Sequence, residues 1–100
     1  PRAALGVVMA ASGYPGTVRS GDAIRGLERA AALPGKVFHA GTELLGGAVC
    51  TSGGRVLCAV GLGPKVIEAQ RAAYDLVRCI DYAGALFRHD IGYRAIARGA

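Results

Sequence analysis

The sequence has no tryptophan and only six aromatic residues in all, so it offers no stacking platform for single-stranded nucleic acid. Of its twelve cationic residues only Lys36 and Lys65 are lysine. The arginines are scattered from Arg2 to Arg98 without forming a run, so no basic tract for nucleic acid is present either. No apolar run approaches the ~20 residues that a membrane span needs, because Gly, Arg or Asp interrupts each one. Three cysteines, Cys50, Cys58 and Cys79, come without a C-x-x-C spacing and with only His39 and His89 as nitrogen donors, which is no zinc signature. Cys50 and Cys58 sit in valine-rich stretches and Cys79 at an apolar helical position, where a thiol acts as a small hydrophobe. Three unpaired thiols also suit a reducing, cytoplasmic compartment. The chain lacks G-x-x-x-x-G-K-S/T, a G-x-G-x-x-G after a strand, a nucleophile elbow and a carboxylate pair at metal-binding spacing. The expected partners therefore include neither nucleic acid nor a membrane.

What is present is 100 residues, 52% hydrophobic and 19% charged, enough for one domain with a core of its own. It is too short for two lobes closing over a substrate. The chain begins at Pro1-Arg2 with nothing resembling a signal sequence, and it reads as a part cut from a longer polypeptide. A net charge of +5 carried almost wholly by arginine points to anions, because the planar guanidinium fork matches phosphate and carboxylate.

Leu5 to Ala10 reads as a buried strand delivered into a tight turn at Gly13-Tyr14-Pro15-Gly16. Gly21 to Leu33 offers a helical turn or two within a loop, with Asp22 as a possible cap, Gly26 as a weakness and Pro34-Gly35 as the stop. Lys36 to Thr42 is a second strand and Gly46 to Thr51 a third, joined by the Thr42 to Gly47 link. Ser52-Gly53-Gly54-Arg55 then predicts a hairpin from the third strand into Val56 to Gly61. From Pro64 to Ile80, the apolar positions Val66, Ala69, Ala73, Leu76, Val77 and Ile80 recur at three and four and mark one buried helical stripe. Arg71 and Asp75 pair at i, i+4 on its outer face. The tail from Phe87 to Arg98 ends in a last helical turn. These elements make an α+β domain, mostly antiparallel strands with one main helix at about 64–80.

Four clusters are candidate sites. Gly13-Tyr14-Pro15-Gly16 lets backbone approach a ligand, or is only a turn. His39, in mid-strand, is a structural histidine or a base. Ser52-Gly53-Gly54-Arg55 holds an anion in a nest of backbone N–H groups with Arg55 as the counter-charge, or is only a hairpin turn. Arg88-His89-Asp90-Ile91-Gly92-Tyr93-Arg94 grips a phosphate with Asp90 orienting the cations, or is an exposed, self-paired tail. From the residues alone the chain is a phosphate-friendly accessory domain.

Read in order, V-V-M-A-A-S-G-Y-P-G, G-D-A-I-R-G-L, K-V-F-H-A-G-T, S-G-G-R-V-L-C-A-V-G-L-G, E-A-Q-R-A-A-Y and F-R-H-D-I-G-Y-R-A-I resemble the C-terminal domain of the phosphoribosylamine-glycine ligase family, also called glycinamide ribonucleotide synthetases. The resemblance runs from about Leu5 to Arg98. It implies an ATP-grasp enzyme of purine biosynthesis, cytoplasmic, joining glycine to 5-phosphoribosylamine with ATP and Mg²⁺. In that family ATP and the metal are bound outside this segment, so no catalytic residue, nucleotide ligand or metal ligand carries over and the segment alone is expected to be inactive. The resemblance implies a small, mostly antiparallel barrel of the rudiment hybrid type that closes one side of the active-site cleft. Its partners are the N-terminal and ATP-grasp domains of the same polypeptide. The substrate-facing residues it implies are Gly13, Tyr14, Pro15, Gly16, Arg88 and Asp90. Ser52 replaces a frequent Asn of the family, and His89 a basic residue. The alternative is a free-standing, non-catalytic barrel module that binds phosphate or nucleic acid.

Overall fold

The computed structural model describes residues 3–18 and 20–88. Val7 and Met9 are fully buried on either side of the exposed Val8 in the first strand, β1 (Ala3–Ala10), as expected of a strand with one covered face. The chain continues through a short helix α1 (Leu27–Ala31), strands β2 (Lys36–His39), β3 (Thr42–Leu45), β4 (Ala48–Thr51) and β5 (Arg55–Gly63), and helix α2 (Val66–Cys79). Among the described residues the strands form two antiparallel sheets, one ordered β1-β5-β2 and the other β3-β4. The α+β class expected from the sequence is the class observed.

Helix α2 packs across β5 and β1. Its buried residues Ala73, Leu76 and Val77 join Val7, Met9, Leu57 and Ala59 of the sheet in one core, Ala69 lies against Gly61, and Ile80 is buried just beyond the helix end. The stripe predicted from spacing is thus the core-facing stripe, although the helix begins at Val66, after Pro64. The Lys65 N–H donates to Glu68 Oε1 at 3.0 Å, which satisfies one of the backbone donors exposed at the helix start. Asp75 pairs with Arg78 at 2.5 Å, three residues on, where the expected partner was Arg71. The other face of the sheet carries Ala4, Gly6 and Val8 of β1, paired with Leu62, Val60 and Cys58 of β5. Phe38 stands opposite Cys58 from β2. No helix covers that face among the described residues.

Three sequence expectations need correction. The expected hairpin from β4 into β5 does not form. Strand β5 has both edges occupied, by β1 and β2, so β4 must pair elsewhere. Its partner is β3, a strand where the sequence reading placed only a link. The two join through Gly46-Gly47 with φ of 56° and 81°, the positive pair that a two-residue type I′ turn requires. The strand expected over Lys36 to Thr42 breaks after His39, because the Ala40 and Gly41 N–H groups both turn back to the Val56 carbonyl, at 3.0 Å each. Finally, Gly26 is the entry point of α1, at φ 87°, while Asp22, the expected cap, pairs its backbone with Thr51.

Cys50 is buried and Cys58 and Cys79 are half-buried, all as free thiols. Among the described residues no helix is long and apolar enough to cross a membrane. The last helical turn expected in the tail falls outside the described residues.

Candidate functional site

Beyond β1 the chain enters Ser12-Gly13-Tyr14-Pro15-Gly16, a tight turn closed by Tyr14 N–H to the Ala11 carbonyl at 3.1 Å and Gly16 N–H to the Gly13 carbonyl at 2.8 Å. The Tyr14–Pro15 peptide is cis. The turn is tied to the segment before β5, since the Ala11 N–H donates to the Gly54 carbonyl at 2.7 Å. A third segment reaches the same end of the sheet: Ala10 and Leu86 exchange backbone hydrogen bonds of 2.7 and 3.0 Å, which brings Phe87 and Arg88 alongside. The Tyr74 hydroxyl donates to the Arg88 carbonyl, so the backbone at Arg88 is held against α2.

Two adjoining grooves open here. One, of about 520 Å³, is lined by Val8, Ala10, Tyr14, Arg55, Leu86 and Arg88, with Phe87 beside them. The other, of about 500 Å³, shares Val8, Tyr14 and Arg55 and runs along Gly41 and Ser52 to Gly54. Of the expected substrate-facing residues, the structure brings Tyr14 and Arg88 into one groove. Gly13, Pro15 and Gly16 shape the exposed turn and line neither groove. Asp90, like His89, lies outside the described residues.

From the sequence Arg55 reads as the counter-charge of a nest at Ser52-Gly53-Gly54 and not as one of the substrate-facing residues. The nest imagined around it is partly filled, because the Gly53 N–H already donates to Ser20 Oγ at 3.2 Å. Its side chain nevertheless lines both grooves. The signal available in the sequence was the apolar pair Val56-Leu57 directly after it, two successive core residues where a strand should alternate. His39 belongs elsewhere: it is exposed at the end of β2 with Nδ1 3.0 Å from Thr42 Oγ1, and it lines a separate groove beside α1.

Among the described residues the polar side chains of the two grooves are guanidinium, phenol, hydroxyl and the Cys58 thiol. That donor set fits an anion and does not fit a divalent cation, which takes carboxylate and carbonyl oxygens. Among the described residues no three His, Cys, Asp or Glu side chains come together as a metal site. The residues here therefore do not fit ATP-bound Mg²⁺.

A family model described as the phosphoribosylglycinamide synthetase C domain matches residues 4–94 of the chain. The chain belongs to this family. Phosphoribosylamine–glycine ligase of Pseudomonas aeruginosa is 59% identical over 98 residues, covering 98% of this chain and 23% of the relative. The Pseudomonas putida ligase is 57% identical over the same length and shares. A crystal structure of phosphoribosylamine–glycine ligase from Thermotoga maritima superposes with a TM-score of 0.77 at 39% identity, covering 88% of this chain and 21% of that one. The chain thus spans about a quarter of the length of such ligases. In this phosphoribosylglycinamide synthetase C domain Tyr14, Arg55 and Arg88 gather at one end of the main sheet.

Proposed function

We propose that this domain forms one wall of the active-site cleft of a cytoplasmic, ATP-dependent ligase. The reaction joins glycine to 5-phosphoribosylamine, giving glycinamide ribonucleotide, ADP and phosphate in purine biosynthesis. The observation that carries this reading is the convergence of Tyr14 and Arg88, from chain segments about seventy residues apart, on one groove of a domain of this family. Arg88 and Tyr14 hold and orient the anionic substrate, with Asp90 steering the cation and Gly13, Pro15 and Gly16 fixing the turn. ATP and Mg²⁺ are held by the N-terminal and ATP-grasp domains of the same polypeptide. Phosphoryl transfer needs preorganised cations, metal and excluded water together, and one wall supplies only the first of these.

The test is Arg88→Ala in the full-length ligase. A binding wall predicts a KM for phosphoribosylamine raised on the order of tenfold or more, the worth of a charge-assisted hydrogen bond to phosphate. Unchanged KM and turnover overturn the reading, and so does turnover by the isolated domain supplied with ATP, glycine and phosphoribosylamine.

A further inference from the structure

We propose that Arg55 is a second anchor for the phosphate group of a pentose phosphate, aimed into the groove by a β-bulge. The inference rests on the cleft-wall reading above and adds to it the residue, the ligand group and the backbone device that presents one to the other.

Strands β1 and β5 pair residue against residue from Ala3 opposite Gly63 to Met9 opposite Leu57, and then the register slips so that Ala10 stands opposite Arg55. Val56 is the extra residue. In an unbroken ladder Arg55 would share a face with Leu57 and Ala59, pointing a guanidinium under α2, where a charge cannot be buried unpaired. The bulge buries Val56 and Leu57 together and turns Arg55 to the open face beside Val8, where it lines both grooves. Re-aiming one side chain beside a site is what bulges do in antiparallel sheets.

The backbone on either side of Arg55 is fixed before any ligand arrives. The Val56 carbonyl accepts from both Ala40 and Gly41, at 3.0 Å each, and the Gly54 carbonyl accepts from Ala11 at 2.7 Å. The Ser52 N–H donates to the Gly41 carbonyl at 2.8 Å. Among the described residues Arg55 makes no ion pair, and none of those lining either groove is a carboxylate. An anion entering the groove of about 520 Å³ meets Arg55, Arg88 and the Tyr14 phenol. Two forked guanidiniums suit the oxygens of a phosphate monoester, and the volume suits a ligand of sugar-phosphate size.

The experiment measures binding of ribose 5-phosphate, with ribose as the uncharged control, to the full-length ligase carrying Arg55→Ala, Arg55→Lys or Arg88→Ala, alongside steady-state kinetics and melting. Arg55→Ala is expected to weaken ribose 5-phosphate binding and raise the KM for phosphoribosylamine about ten- to a hundredfold. Turnover and the KM for glycine and ATP stay within about twofold. Arg55→Lys, which keeps charge and stem but loses the fork, recovers part of the affinity with unchanged melting. If Arg55→Ala binds ribose 5-phosphate as wild type does while Arg88→Ala does not, the Arg55 assignment falls and the cleft wall stands. If neither substitution matters, both readings fall.

Discussion

Gly54 lies against the ring of Tyr14 so closely that a Cβ at position 54 would stand 2.5 Å from Cδ1 and 3.0 Å from Cε1. Tyr14 is 41% exposed, so its ring can swing outward to relieve the clash. Gly54→Ala is therefore expected to cost less than about 1 kcal/mol of stability while reshaping both grooves. In the full-length ligase we expect the KM for phosphoribosylamine to rise by roughly threefold or more, since small displacements of a positioning group cost rate and binding. The same substitution made in Tyr14→Ala should add nothing further, because its clash partner is gone. An additive double-mutant cycle would show that Gly54 does not act through the ring.

Gly26 is constrained more tightly. Its φ is 87° and a Cβ there would fall 1.7 Å from the Cys79 carbonyl oxygen and 2.7 Å from its carbon, both backbone atoms at the end of α2. Gly26→Ala combines left-handed strain of about 1–2 kcal/mol with a clash that only moving α1 off α2 can relieve. We expect a loss of more than about 2 kcal/mol in urea unfolding. A change within about 0.5 kcal/mol, the range of ordinary surface substitutions, would contradict this geometry.

These two glycines show where reading the sequence succeeds and where it stops. Helix α2 was legible because Ala69, Ala73, Leu76 and Val77 repeat at helical spacing, a pattern that needs no knowledge of the partner. The Tyr14 turn was legible for a similar local reason. Gly26 looked like a flaw in a helix because its value lies in the Cys79 carbonyl, 53 positions away, which no local pattern contains. Strand β3 was hidden for want of contrast: Leu44 is 70% exposed and Glu43 follows Thr42, so no buried alternation marks it. The false hairpin at Ser52-Gly53-Gly54 came from trusting turn chemistry over pairing, and the pairing of β5 with β1 is a long-range choice set by which faces meet α2. The direction of Arg55 could not be read with it, since only the register slip shows which way that side chain points.

Thr51 is the buried polar residue of the described core, with no exposed surface. Its Oγ1 accepts from the Asp22 N–H at 3.0 Å, and its own N–H donates to the Asp22 carbonyl at 2.8 Å, which fastens the long loop before α1 to the end of β4. Thr51→Val keeps the shape and removes the acceptor, leaving a half-buried amide unpaired. That change is expected to cost about 1–3 kcal/mol. Thr51→Ser keeps the acceptor and should cost less than Thr51→Val. The reverse order in urea unfolding would mean that packing of the methyl group, not the hydrogen bond, holds the loop.

Tyr82 does the corresponding work at the base of the candidate site, where its buried hydroxyl donates to the Ala10 carbonyl at 2.8 Å. Burial pushes the phenol from 10.0 up to about 12, because the phenolate would have to lose its water. Tyr82→Phe removes the bond and is expected to cost about 1 kcal/mol at neutral pH. The pH dependence has a definite sign. The unfolded phenol releases its proton near pH 10 while the folded one keeps it until about 12, so across that window the unfolded state binds fewer protons. Stability then falls by up to about 1.4 kcal/mol per pH unit. This contribution is complete below pH 10.0 and exhausted above about 12. Tyr82→Phe has no such proton to lose, so its deficit against wild type should vanish within about one pH unit above 10.0 and reverse at higher pH. A deficit constant from about pH 9 to 12 would mean that Tyr82 ionises as readily in the folded domain as in the open chain.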